Sequence, residues 1–254
     1  MKAQLHPDVS VEALGHVTVV EIHRPPNNYF DAGLVGAIAD ALARLDATPE
    51  CRVVVLASQG RCFCAGANFN GPERLEPRAV YRAALPMFKR RKPLVAVVQG
   101  PAVGGGLGLA LAADFRLAAP EARFHANFVA LGLHPGFGLT YTLPRAIGTQ
   151  KAASLLLSGR RVDGNEALQL GLADGLAPLE RLRPAAMEFA AALATGAPLA
   201  IRSIQSALID GVAAHVEQAM EREALAQEAL MGTADFKEGV RAAAERRPPH
   251  FTGS

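Results

Sequence analysis

The 254-residue chain is 50% hydrophobic and 20% charged, a soluble globular composition with length for one large domain or a domain plus an appendage. Its net charge of +2 lacks the clustered basic excess that phosphate backbones demand, so no nucleic-acid partner is expected. The three cysteines, Cys51, Cys62 and Cys64, fit neither a disulfide framework nor a four-ligand zinc site, and reduced thiols point to a cytoplasmic protein.

In chain order, the first fifteen residues hold no apolar stretch of signal-peptide length, and Asp8 and Glu12 argue against a transit peptide. Val17 to Ile22 reads as a strand, closed by the Pro25-Pro26-Asn27-Asn28 turn cluster. Asp31 is placed to cap a helix running to about Leu45, with Leu34, Ile38, Leu42 and Leu45 at helical spacing. Val53 to Ala57, Leu94 to Val98 and Phe115 to Ala118 are short continuous apolar runs, as strands buried on both faces require. Helices are expected around Ala79 to Lys89 and Gly104 to Ala113. This alternation predicts an α/β architecture with largely parallel strands.

The most apolar stretch, Pro93 to Ala113, is broken by Pro101 and by glycines between Gly100 and Gly108, so it reads as packed turns and no membrane span is expected. The basic run Lys89-Arg90-Arg91-Lys92 reads as solvated surface, with contact to an anionic ligand as the alternative. After about Gly196 no strand-like run appears, and Pro198 to Arg247 looks helical, punctuated at Gly211 and Gly232. Residues 1–196 are therefore expected as the core and 197–254 as a helical region available for oligomer contacts.

Two segments carry chemistry. Gly60 to Phe69 follows a strand's carboxyl end, and its small residues Ala65, Gly66 and Ala67 let a ligand approach the main chain. Gln99 to Gly108 joins a buried strand to an apolar helix, with Gly104, Gly105 and Gly106 leaving unpaired amides at the helix start. Neither nucleotide-binding glycine pattern appears.

Together these segments resemble the crotonase (enoyl-CoA hydratase/isomerase) superfamily. The carrying residues are Phe63-Cys64-Ala65-Gly66-Ala67-Asn68 and the stretch from Gln99-Gly100 through Gly104-Gly105-Gly106 to Asp114. Further agreement lies in His23-Arg24-Pro25, in Leu131 to Gly136, in Leu143 to Gly148 and in Asp235 to Val240. The resemblance implies a spiral of ββα repeats with an α-helical C-terminal subdomain that assembles trimers or hexamers. It also implies an acyl-CoA thioester as substrate, with coenzyme A part of that substrate and no separate cofactor or metal.

For the site, the resemblance implies backbone amides of Ala67 and Gly105 as an oxyanion hole. Ala65, Asn68, Phe69, Gly104, Gly108 and Phe128 would line the acyl site, and Arg24 and Arg246 would stand near the CoA phosphates. The chain then departs from the pattern. The two hydratase glutamates are matched by Gly108 and Phe128, and the aspartate used by some isomerases and by chlorobenzoyl-CoA dehalogenases is matched by Gly136. Proton transfer needs a titratable group, so His134 and His125 are the acid–base candidates, with Cys64 and Tyr141 behind them. Phe128, Phe137 and Leu139 suggest an apolar acyl pocket. The expectation is a lyase or isomerase with a non-standard acid–base set, or an acyl-CoA-binding homologue without hydratase activity.

Overall fold

The structure is a computed structural model and describes residues 2–69 and 76–254. The chain opens with an antiparallel meander, β1 (Lys2–His6), β2 (Val9–Leu14) and β3 (Val17–Ile22). Then follow α1 (Ala32–Asp46), β4 (Val53–Ser58), α2 (Pro77–Ala84) with a 3-10 turn at Leu85–Lys89, and β5 (Leu94–Val98). Asp31 caps α1 through a bond from the Leu34 amide at 2.7 Å, as its position before the apolar stripe requires.

The middle of the chain winds between two sheets. β5 is followed by β6 (Pro101–Val103) and α3 (Gly105–Leu111), and β7 (Phe115–Ala118) by β8 (Arg123–His125). After a 3-10 turn at Val129–Leu131 come α4 (Leu139–Ile147), α5 (Thr149–Ser158), β9 (Arg161–Asp163), α6 (Gly164–Leu170), β10 (Gly175–Leu176) and α7 (Leu179–Ala194). The large sheet has the order β1-β2-β3-β4-β5-β7-β10 and is parallel from β3 onward; the small sheet has the order β6-β8-β9. The turns β5-β6-α3 and β7-β8-α4 each lay one strand in each sheet before their helix. The architecture is the expected α/β spiral with a helical C-terminal region, α8 (Pro198–Ile209), α9 (Val212–Leu230) and α10 (Ala234–Glu245).

Continuous apolar strands are needed because the large sheet is covered on both faces. Val54 and Leu56 of β4 face the core built with α1 and α3, while Val53, Val55 and Ala57 face Leu182, Ala186 and Ala190 of α7. The basic run at 89–92 is solvated only at alternate residues: Lys89 and Arg91 are exposed, but the other two are not. Arg90 and Lys92 are each 5% exposed. Arg90 pairs with Asp114 at 2.5 Å, and the Lys92 ammonium donates to the Leu45 and Thr48 carbonyls at the end of α1, where a helix terminus favours a cation. No single helix among the described residues is long and apolar enough to cross a membrane.

Candidate functional site

The turn at 24–30 positions the first loop. Asn28, fully buried at φ 49°, donates from its side chain to the carbonyls of Gln59 (2.8 Å) and Cys62 (2.7 Å), and the Ala65 amide donates to Asn27. The Phe30 amide bonds the Gly66 carbonyl at 2.9 Å, forming a parallel bridge between Phe30 and Ala67. In that register the Ala67 amide points away from the bridge, and it has no main-chain acceptor among the described residues.

A second parallel bridge, Cys64 with Ala102, ties this loop to the approach to α3, and Val103 donates to the Cys64 carbonyl at 3.0 Å. The closeness of the two segments explains their glycines. A β-carbon on Gly106 would lie 2.0 Å from the Cys64 carbonyl oxygen, and one on Gly66 (φ 81°) 2.7 Å from the Val103 oxygen and 3.4 Å from the Gly105 nitrogen. The first bonds of α3 begin at the Leu107 amide, so the Gly105 amide has no acceptor within the helix.

Ala67 and Gly105 both line one cavity of about 290 Å³. Of the sequence-derived site residues, Ala65, Ala67, Asn68, Phe69, Gly104, Gly105 and Phe128 line it. Tyr29, Phe30, Tyr81, Asn127, Leu131, Gly136, Phe137 and Gln227 are also in its wall, with Val240, Ala243 and Ala244 of α10. Gly108 lies just behind the wall: a β-carbon there would meet the Phe137 β-carbon at 2.6 Å, and the Phe137 ring packs 5.4 Å from that of Phe30.

The remaining candidates are placed elsewhere. His125 and His134 are absent from the cavity wall. The His125 ring bonds the Gly159 carbonyl at 2.8 Å, and burial pushes its pKa below the ordinary value; the His134 ring bonds the Pro135 carbonyl at 2.8 Å. Sitting next to a pocket motif in sequence did not aim either ring inward. Cys64 is fully buried, and desolvation pushes its thiol up to about 12, which leaves no thiolate at neutral pH. Tyr141 stacks on His215 with ring centroids 5.3 Å apart, outside this cavity. Arg24 bonds Asp8 at 2.7 Å and Asp31 at 2.5 Å, and Arg246 is exposed at the C-cap of α10, two residues beyond cavity-lining Ala244. No metal-binding cluster of His, Cys, Asp or Glu occurs among the described residues.

Tyr29, Phe30, Tyr81, Asn127 and Gln227 were not anticipated from sequence. Tyr81 rests on a buried helix face and is 8% exposed. Its hydroxyl donates to Gln227 Oε1 at 2.7 Å, and Gln227 Nε2 donates to the His134 carbonyl at 2.8 Å. Next to it Glu223, fully buried, accepts from the Gly138 amide (2.7 Å), the Thr140 amide (2.8 Å) and the Thr140 hydroxyl (2.6 Å), while burial pushes its carboxyl above the ordinary range.

The profile of the enoyl-CoA hydratase/isomerase family matches residues 12–254. The chain is 34% identical to the (E)-benzylidenesuccinyl-CoA hydratase of Thauera aromatica, over 97% of this chain and 99% of that protein. It is 32% identical to an enoyl-CoA isomerase/hydratase of Mycosarcoma maydis, over 99% and 97% of the two chains. A crystal structure of an enoyl-CoA hydratase/isomerase from Pseudoalteromonas atlantica superposes with a TM-score of 0.86 at 31% identity, covering 96% of this chain and all of that one.

Proposed function

The chain belongs to the enoyl-CoA hydratase/isomerase family, of crotonase fold, and from that premise we propose that it binds an acyl-CoA thioester and acts on it through an enolate-like state. The observation that carries this reading is that Ala67 and Gly105, whose amides have no main-chain acceptors among the described residues, line one cavity. Two preorganised donors at a thioester oxygen stabilise the negative charge that develops there, each worth about 3–4 kcal/mol in the transition state. The acyl group occupies the apolar side of the cavity, between Phe30, Phe128, Phe137 and Leu131, and Asn68 and Phe69 flank the entrance turn. Arg246, near the outer rim, meets the CoA phosphates; Arg24 already spends its charge on Asp8 and Asp31. No cofactor beyond the substrate's own coenzyme A enters this reading, and the setting is cytoplasmic with a trimeric or hexameric assembly.

The reaction is an isomerisation or a hydration with a non-standard acid–base set. A second reading, acyl-CoA binding without turnover, is favoured by a specific observation: among the described residues the cavity wall carries no carboxylate and no imidazole. Calorimetry with a panel of saturated and 2-enoyl thioesters, paired with product assays, separates the two. Binding with turnover supports the enzyme, binding without any product supports the second reading, and absence of binding defeats both.

The oxyanion assignment has its own test. Proline is tolerated at the first helical position, so Gly105→Pro deletes that amide, and Phe30→Ala relieves the ring that would stand 2.4 Å from its β-carbon. In a substrate labelled at the thioester carbon, the bound carbonyl stretch is expected below its solution value in the Phe30→Ala protein and back near it once Gly105→Pro is added. Equal frequencies in both proteins would remove Gly105 from the proposed role.

A further inference from the structure

Of the three carboxylate positions that the resemblance leaves empty, 128 carries its own phenylalanine, and the glycines at 108 and 136 are each crowded by an aromatic group from elsewhere in the chain. A β-carbon at Gly108 would strike Phe137, and one at Gly136 would lie 1.9 Å from the Tyr81 hydroxyl oxygen. Phe137 brings only hydrocarbon. Tyr81 brings a proton. Tyr29 and Tyr81 carry the titratable side chains among the described cavity-lining residues, and Tyr81 alone stands in the volume of a replaced carboxylate.

We infer that Tyr81 is the proton donor of this site, giving its hydroxyl hydrogen to the enolate carbon of the bound acyl group. The inference rests on the acyl-CoA reading above and deepens it. The phenol's hydrogen rests on Gln227 Oε1, itself fixed by the His134 carbonyl, and the Phe137 amide lies near its oxygen, where it favours the phenolate. The Phe137 amide then stays in place to support the phenolate left after transfer. Burial and the nearby Glu223 carboxylate push the phenol above its ordinary value of 10, so it is protonated throughout the neutral range and serves as acid, not as resting base.

The step balances. The O–H bond of Tyr81 breaks, the electron pair of the enolate double bond forms a C–H bond at carbon 2, and the thioester carbonyl is restored. In a hydration the water that added at carbon 3 carries one surplus proton, which returns through solvent to the phenolate, so the net change is addition of water. Gln227 is a positioning residue in this scheme, because it acts through the hydroxyl it holds and takes no part in the bond changes.

Tyr81→Phe keeps the ring and deletes the hydroxyl. The expected result is acyl-CoA affinity within about threefold of the parent by calorimetry, with turnover and deuterium incorporation at carbon 2 from heavy water both lowered about 100-fold or more. Gln227→Met, which leaves the phenol in place, is expected to lower kcat about tenfold with KM nearly unchanged and to shift the alkaline limb of the pH profile, which a mere strut would not move. Normal turnover by Tyr81→Phe overturns the donor role while leaving the acyl-CoA reading intact. A parent protein that binds the panel without turnover or carbon-2 exchange also overturns it, and a parent that binds nothing defeats the earlier reading itself.

Discussion

A β-carbon on Gly108 would meet the fully buried Phe137 side chain at 2.6 Å, so a glutamate placed there must push that ring out of its packing at the cavity wall. Gly108→Glu is accordingly expected to lose stability, by about 1–3 kcal/mol or more in thermal or denaturant unfolding, and to gain no hydratase activity. A stable variant with new 2-enoyl-CoA hydration would contradict this packing. His125 supplies a pH prediction. Burial holds its folded-state pKa below 6.5, so the neutral ring stabilises the fold above pH 6.5, and that contribution is lost as pH falls through the lower folded value. His125→Gln should flatten the fall in stability below pH 6.5 in denaturant titrations at several pH values. The missing carboxylates at 108, 128 and 136 were legible in the sequence, but the groups that fill their space were not. Tyr81 is 55 positions from Gly136 in the chain, and no local pattern reports such a meeting.

At the scale of elements, the strands β3, β4, β5 and β7 and the helix α1 were readable because burial on both sheet faces forces unbroken apolar runs and because Asp31 announces a helix start. β8 was read as a strand only around Phe124 and His125, and β6 and β9 were not read as strands at all: at three residues each they are too short to show a period, and pairing with one another defines them. α9 was expected as part of the helical C-terminal region, but the roles of its polar residues were not: Glu223 and Gln227 are buried because their polar ends bond other elements. Glu223 satisfies amides at the start of α4 that the helix cannot satisfy itself. Glu223→Leu therefore strands those donors and is expected to cost about 2–3 kcal/mol of stability in chemical denaturation. An unchanged unfolding midpoint would mean that those amides find other acceptors.

Across the whole molecule, the boundary drawn at residue 196 separates two compositions but not two functions. The cavity takes Ala67 and Gly105 from one side of it and Gln227, Val240, Ala243 and Ala244 from the other. α8 does something different, exposing Leu199 (79%), Ile204 (59%) and Leu208 (60%) along one stretch. Isolated apolar residues on a surface are ordinary, but three on one short helix favour contact with another copy. If this face joins copies of the chain, Ile204→Glu is expected to lower the apparent mass in sedimentation velocity, whereas an unchanged sedimentation coefficient would take this face out of any assembly. The part of the wall formed by α10 has a thermodynamic corollary. Any guest that touches Ala243 and Ala244 binds only while that helix is docked, so occupancy must stiffen α10 itself; at a hundredfold excess over Kd the gain is about 2.7 kcal/mol. Hydrogen–deuterium exchange should then slow in α9 and α10 when guest is added, far more than in the β1–β2 hairpin across the sheet, turning the helical appendage into a gauge of whether the site is full.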